Sequence, residues 1–126
     1  MKNKLIIFLI LLFATLIVVT TCLKNRNSLR TDGVLTTGFV DKVYSGSKGG
    51  LNIDYHFYTE TGTIEGSEFY FISSSYIKEF EHKSFPVKYS PTKPTKNRML
   101  ILKNDFEEME EAFPDSLKWT LDLKGL

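Results

Sequence analysis

Apolar positions along this chain change their period more than once. Residues 5–23 (LIIFLILLFATLIVVTTCL) are nineteen positions without a charge, preceded by Lys2 and Lys4. At about 1.5 Å per residue a helix of that length spans roughly 28 Å, close to the ~30 Å hydrocarbon core of a bilayer. The run is apolar on every face, which is wrong for the core helix of one small soluble domain. It predicts a transmembrane anchor over residues 1–23, and residues 24–32 (KNRNSLRTD), polar and basic, read as a juxtamembrane linker. A cleaved secretory signal is the competing outcome, but the apolar run is long for one and carries no A-x-A-like site. A lipoprotein signal would cut before Cys22, where the preceding Val19-Thr20-Thr21 departs from the usual small-residue pattern. Cys22 is therefore a candidate lipidation site, or simply a small apolar residue at the end of a membrane helix.

From residue 33 the period falls to two, with many β-branched and aromatic residues. Residues 34–44 predict a first strand, in which Gly38 marks a bulge or a close backbone approach. Residues 45–50 (SGSKGG) are a flexible loop. Over 51–58, Leu51, Ile53, Tyr55 and Phe57 face one way and Asn52, Asp54, His56 and Tyr58 the other, a half-buried strand. Turn residues at 59–62 and a third strand at 63–71 make a hairpin. Ser73 to Ser75, then Tyr76, Ile77 and Phe80, predict a short capped helix or ordered loop. Residues 85–89 and 98–103 are a fourth strand and a fifth apolar run. Asn104 followed by Glu107 starts a helix carrying Phe106, Met109 and Phe113 on one face, and Pro114 ends it. The tail 116–124 alternates, with Leu117, Trp119, Leu121 and Leu123 on one side, and predicts a last strand that closes the sheet or pairs with a partner. The fold class is mainly β (α+β): a transmembrane helix, then a small antiparallel sheet or partly open barrel with one or two short helices, in a single domain over 33–126.

Composition adds exclusions. A chain of 126 residues with 13% aromatic and 25% charged residues supports one folded domain rather than disorder. A net charge of +1 argues against general nucleic-acid binding. Cys22 is the only cysteine, so there is no intramolecular disulfide and no CxxC-type metal site. His56 and His82 have no ligand-spaced partners, no G-x-S-x-G elbow is present, and the Glu107, Glu108, Glu110, Glu111 run matches no calcium loop. Asp54 and Glu68 cannot be paired for acid–base work from sequence alone. The chain therefore reads as no enzyme and implies no cofactor.

The segment from Val87 to Asn97 (VKYSPTKPTKN) ends a strand, stiffens at Pro91 and Pro94, and lies in a window with Lys83, Lys88, Lys93, Lys96, Arg98 and Lys103 but no acid. Lys88, Lys93, Lys96 and Arg98 are candidates for contact with a partner or with lipid phosphates. The competing reading is a solvated face neutralised by the acidic helix that follows. Gly38-Phe-Val40, Tyr55-His-Phe57 before the turn at Gly62, and the Tyr-x-Pro-x-x-Pro of Tyr89 to Pro94 resemble the bacterial domain-of-unknown-function family numbered 3592. The resemblance covers about residues 36–102, with Ser90 where an Asp is common. It implies a small β-barrel-like domain beside a membrane, with no established activity. The functional expectation is a single-pass membrane protein of the bacterial envelope whose domain lies outside the cytoplasm and acts as a non-catalytic binding or assembly module for an envelope protein. A lipoprotein or immunity-like accessory protein is the alternative.

Overall fold

Helix α1 runs without interruption over Lys2–Asp32 in a computed structural model that describes residues 2–125, apart from the side chains of residues 21–27. Its Lys2–Thr20 stretch is long and apolar enough to cross a membrane, and none of it is buried against the rest of the protein. The hydroxyls of Thr15 and Thr20 donate back to the carbonyls of Leu11 (2.8 Å) and Leu16 (3.0 Å), so both polar groups are satisfied within the helix. Residues 24–32, expected as a linker, continue the same helix, because no glycine or proline interrupts it before Gly33. There the amide of Gly33 bonds the Leu29 carbonyl at 3.0 Å, and a Cβ on Gly33 would lie 2.2 Å from that oxygen. A glycine is what lets the chain turn into the first strand.

Five strands follow: β1 (Val34–Ser45), β2 (Leu51–Thr59), β3 (Gly62–Tyr70), β4 (Ser84–Tyr89) and β5 (Asn97–Met99). The sheet is antiparallel, in the order β3-β2-β1-β4-β5. Strands β1 to β3 form a meander and β4 returns beside β1, which is a Greek-key arrangement, and the sheet curls into a nearly closed barrel. The alternation seen in the sequence sets its inside: Leu51, Ile53 and Phe57 are fully buried, with Val43, Tyr55, Phe85, Val87 and Met99 around them. Gly38 is the close approach, since a Cβ there would sit 2.4 Å from Val87 Cγ2. The bulge falls three residues later, at Asp41.

Between β3 and β4, a 3₁₀ turn (Ser74–Tyr76), capped by the Ser73 hydroxyl, leads into α2 (Ile77–Phe80). Phe80 of α2 is buried against Phe85 and Trp119, with ring centroids 5.9 and 5.5 Å apart.

The C-terminal third departs from expectation three times. The apolar run at 98–103 stays in the sheet only to Met99, because the Asp105 carboxylate takes the amides of Ile101 (3.0 Å) and Leu102 (2.9 Å). That same carboxylate starts α3 (Lys103–Glu108), so Asp105 does the capping expected of Asn104, which lies inside the helix and bonds Glu108. Helix α3 also ends early, short of Pro114. Glu110 adopts φ 55°, and the amides of Glu111 and Glu110 return to the carbonyls of Phe106 and Glu107, a Schellman closure normally built on glycine. Last, the tail is no strand: Asp115–Asp122 is a 3₁₀ helix. Leu117 and Thr120 are buried, Leu123 packs on the core three residues further, and Leu121 points out. Spacing by three fits the face, and the Thr120 hydroxyl donates to the Leu117 carbonyl at 2.7 Å.

One buried cation ties these parts together. Lys88 of β4 is 3% exposed, and its ammonium donates to the Arg30 carbonyl in the last turn of α1 (2.7 Å) and the Met109 carbonyl at the end of α3 (2.8 Å). The Glu111 carboxylate, 2.9 Å away, completes the set. Both helices end in unpaired carbonyls and a negative dipole pole, so one cation serves both. Leu29 is buried beside it, and Arg30 Nε donates to the Glu108 carbonyl.

Lys88→Met keeps the side-chain length and strips the charge, leaving buried acceptors unpaired; it is expected to cost about 3–5 kcal/mol. Thermal unfolding of the full chain in detergent should show a fall in Tm on the order of 15 °C. In the same assay Glu110→Gly should raise stability by about 0.5–1 kcal/mol, because glycine adopts the positive φ without cost.

Candidate functional site

The bulge in β1 builds a constellation on the outer face of the barrel. Phe39 pairs with His56 and Val40 with Tyr55, but Lys42 pairs with Asp54, so Asp41 is the extra residue and its side chain is re-aimed along the outer surface. Asp41 Oδ1 lies 2.7 Å from His56 Nδ1. A carboxylate only accepts, so Nδ1 carries a ring hydrogen, and Nε2 lies 3.2 Å from the Tyr58 hydroxyl. Phe39 stacks on the His56 ring at 5.5 Å, and Tyr58 meets it edge-on at 5.4 Å. An aspartate, an imidazole and a hydroxyl in series resemble a nucleophile relay, but Tyr58 is 59% exposed.

Beside it, Asp41, Lys42, Asp54, Glu65 and Ser67 line a shallow groove of about 520 Å³. The Ser67 hydroxyl donates to Asp54 at 2.8 Å. Lys42 does not neutralise these acids; its ammonium sits 4.9 Å from the centre of the Tyr44 ring. Among the described residues the Glu65 carboxylate has no hydrogen-bond or ion-pair partner. No group of His, Cys, Asp and Glu among the described residues is arranged to hold a metal ion.

The second feature is the seam where β3 meets β5 without a ladder. The Leu100 amide donates to the Pro86 carbonyl (2.8 Å) and the Ser90 amide to the Lys96 carbonyl (3.0 Å). This register turns both main-chain groups of Met99 away from β4, towards β3. Side chains meet them there: the Tyr70 hydroxyl donates to the Met99 carbonyl at 2.8 Å, and the Glu68 carboxyl lies close enough to the Met99 amide to be influenced by it. Tyr55 reaches across β3 from β2, and its hydroxyl bonds the Asn97 side chain on β5. The crossing is possible because residue 66 is glycine; a Cβ there would lie 2.5 Å from the Tyr55 ring. Burial pushes Glu68 up to about 7, with the Arg98 charge and the Met99 amide pulling the other way. Burial, and then the charge on Glu68, raises the Tyr55 hydroxyl. Tyr70 is raised by burial and by Asp105, Glu68 and Tyr55 together.

The basic residues expected at a contact surface are scattered by the fold. Lys88 is removed from it, since the ends of α1 and α3 close over its ammonium. Arg98 pairs with Asp105 at 2.9 Å and with Glu108. Burial pulls the Arg98 guanidinium down, but these two carboxylates outweigh it and hold it above its usual value. Lys103 meets Glu107 at 4.0 Å. Three cations of the basic window are thus matched by the acidic segment after them, the competing reading from sequence. Lys93 stays exposed and Lys96 half-buried, both in the loop between β4 and β5. The Cys22 side chain lies outside the described residues. The Asp41–His56–Tyr58 constellation was not read from sequence, because Asp41 joins it only through the bulge. His56 on the polar face was the sole visible signal.

The chain matches no family model, and no curated protein or solved structure is significantly similar to it.

The Glu68 carboxyl makes stability depend on pH. Below about pH 4.5 the folded and unfolded chains both hold its proton; between 4.5 and about 7 only the folded chain does. This contribution is therefore lost as pH climbs through that window and levels off above it. Comparing Glu68→Gln with the native chain isolates it: between pH 5 and 8 the native Tm should fall about 5 °C more than the variant's, solvent screening included. Equal slopes would show that Glu68 titrates at an ordinary carboxyl pH.

Proposed function

We propose that this chain is a single-pass membrane protein of the bacterial envelope, with its barrel outside the cytoplasm serving as a non-catalytic binding module. The observation that carries the reading is the pairing of an unburied apolar helix with a helix end fastened into the barrel. The Lys2–Thr20 stretch buries none of itself on the protein, while the last turn of the same helix is held by Lys88 and Leu29. A removable leader has no need of such a fastening. The order of the segments is also that implied by the resemblance to family 3592, and kinship with that family is part of the proposal.

Binding is favoured over catalysis by the outer face. Its His56 ring lies between Phe39, stacked on it, and Tyr58, set edge-on, and the groove next to it is wide and shallow. Five-stranded Greek-key barrels serve elsewhere as binding platforms, an analogy of architecture alone.

Full-length chain expressed in a bacterial host should stay with the membrane pellet through washes in high salt and alkaline carbonate. Its intact mass should include residues 1–23 with Cys22 unmodified. Recovery in the soluble fraction, or a mature chain lacking those residues and any lipid, would overturn the anchored reading; acylated Cys22 would replace the helix anchor with a lipid one.

A further inference from the structure

The two edges of this sheet are unequal. Strand β3 is nine residues long and β5 only three, and the contacts across the seam reach no further along β3 than Gly66, Glu68 and Tyr70. Strand β2 passes to β3 through Glu60 and Thr61, with Thr59 opposite Gly62. A two-residue turn closes on a hydrogen-bonded pair, so the amides and carbonyls of Thr63, Glu65 and Ser67 point away from β2. No hydrogen bond among the described residues meets them from the other side. All three residues are exposed. The one guard on this edge is the charge of Glu65: no lysine, proline or bulge lies between Gly62 and Ser67.

Charge decides what fits there. The groove along this edge presents Asp41, Asp54 and Glu65, and the one cation lining it, Lys42, is turned onto Tyr44. A second copy of the chain would bring Glu65 and its acidic neighbours against their own kind, which disfavours pairing of like edges. An extended segment with lysine or arginine at alternate positions gains both ways, from main-chain bonds to Thr63, Glu65 and Ser67 and from attraction to the carboxylates.

We propose that the open edge of β3, from Thr63 to Ser67, is a docking site for a basic extended segment of a partner protein, which adds to the barrel as a sixth strand. This names the partner chemistry for the binding module proposed above and rests on that reading, but fails separately from it. A chain that remains in the membrane and ignores basic strands keeps its anchor and loses this site.

The test uses the full chain in detergent micelles and a fluorescent acetylated peptide, Lys-Val-Lys-Thr-Lys-Val, followed by anisotropy and by hydrogen exchange. Binding should slow exchange of the Thr63, Glu65 and Ser67 amides. Glu65→Lys should weaken affinity at least tenfold; the carboxylate has no partner among the described residues, so the fold should tolerate the change. A peptide N-methylated at alternate main-chain amides, with its charge intact, should lose binding to the native chain. Equal binding by the N-methylated peptide would reduce the contact to charge alone, and equal binding by a glutamate-for-lysine peptide would remove the role of charge. Either result, or no binding by the first peptide, overturns the proposal.

Discussion

One buried ammonium organises the protein. The three acceptors around Lys88 come from two parts of the chain far apart in sequence: the last turn of α1, and the end of α3 with the segment just beyond it. A lysine is seldom so deeply covered without a partner, because taking its charge out of water costs several kcal/mol. Here the cost is offset by carbonyls that would themselves be unpaired at two helix ends. Each group therefore requires the others, and the junction between helix and barrel follows from that mutual need. Gly33 is part of the same arrangement, since a Cβ there would lie 2.9 Å from the Lys88 stem.

The barrel closes by a different principle. Four of its junctions are ladders, while the fifth is made by Tyr55, Glu68 and Tyr70 reaching for β5. Side chains bridge the gap because β5 is cut short: Asp105 draws the amides of Ile101 and Leu102 into the start of α3. A strand end, a helix start and an incomplete closure thus share one carboxylate. The same shortness leaves the first half of β3 bare.

Much of the fold was legible in the sequence because its strongest signals are local. The alternation of Leu51, Ile53, Tyr55 and Phe57 needed only a period of two, and the hairpin after it only turn residues. The tail misled for a physical reason: Leu117, Trp119, Leu121 and Leu123 alternate, but Leu117, Thr120 and Leu123 also recur every third residue, and only the packed core chooses between the two periods. The role of Lys88 could not be read at all. Within its strand it looks like one more cation in a basic window, and its partners lie 58 and 21 residues away. The Asp41–His56 contact was hidden likewise, since a bulge has no composition signature of its own. Only Gly38 hinted at irregularity in β1, and it proved to be the point of close packing.

The continuity of α1 past its apolar stretch has a mechanical consequence. A flexible tether of nine residues would let the barrel wander over a hemisphere about 16 Å in radius. The same nine residues, 24–32, held as helix make a strut of about 14 Å that neither shortens nor coils. Were the apolar stretch seated in lipid, as proposed, the barrel would have a fixed standoff and would move by lateral diffusion and by spin about the helix axis. Anything engaging it would have to come to that height.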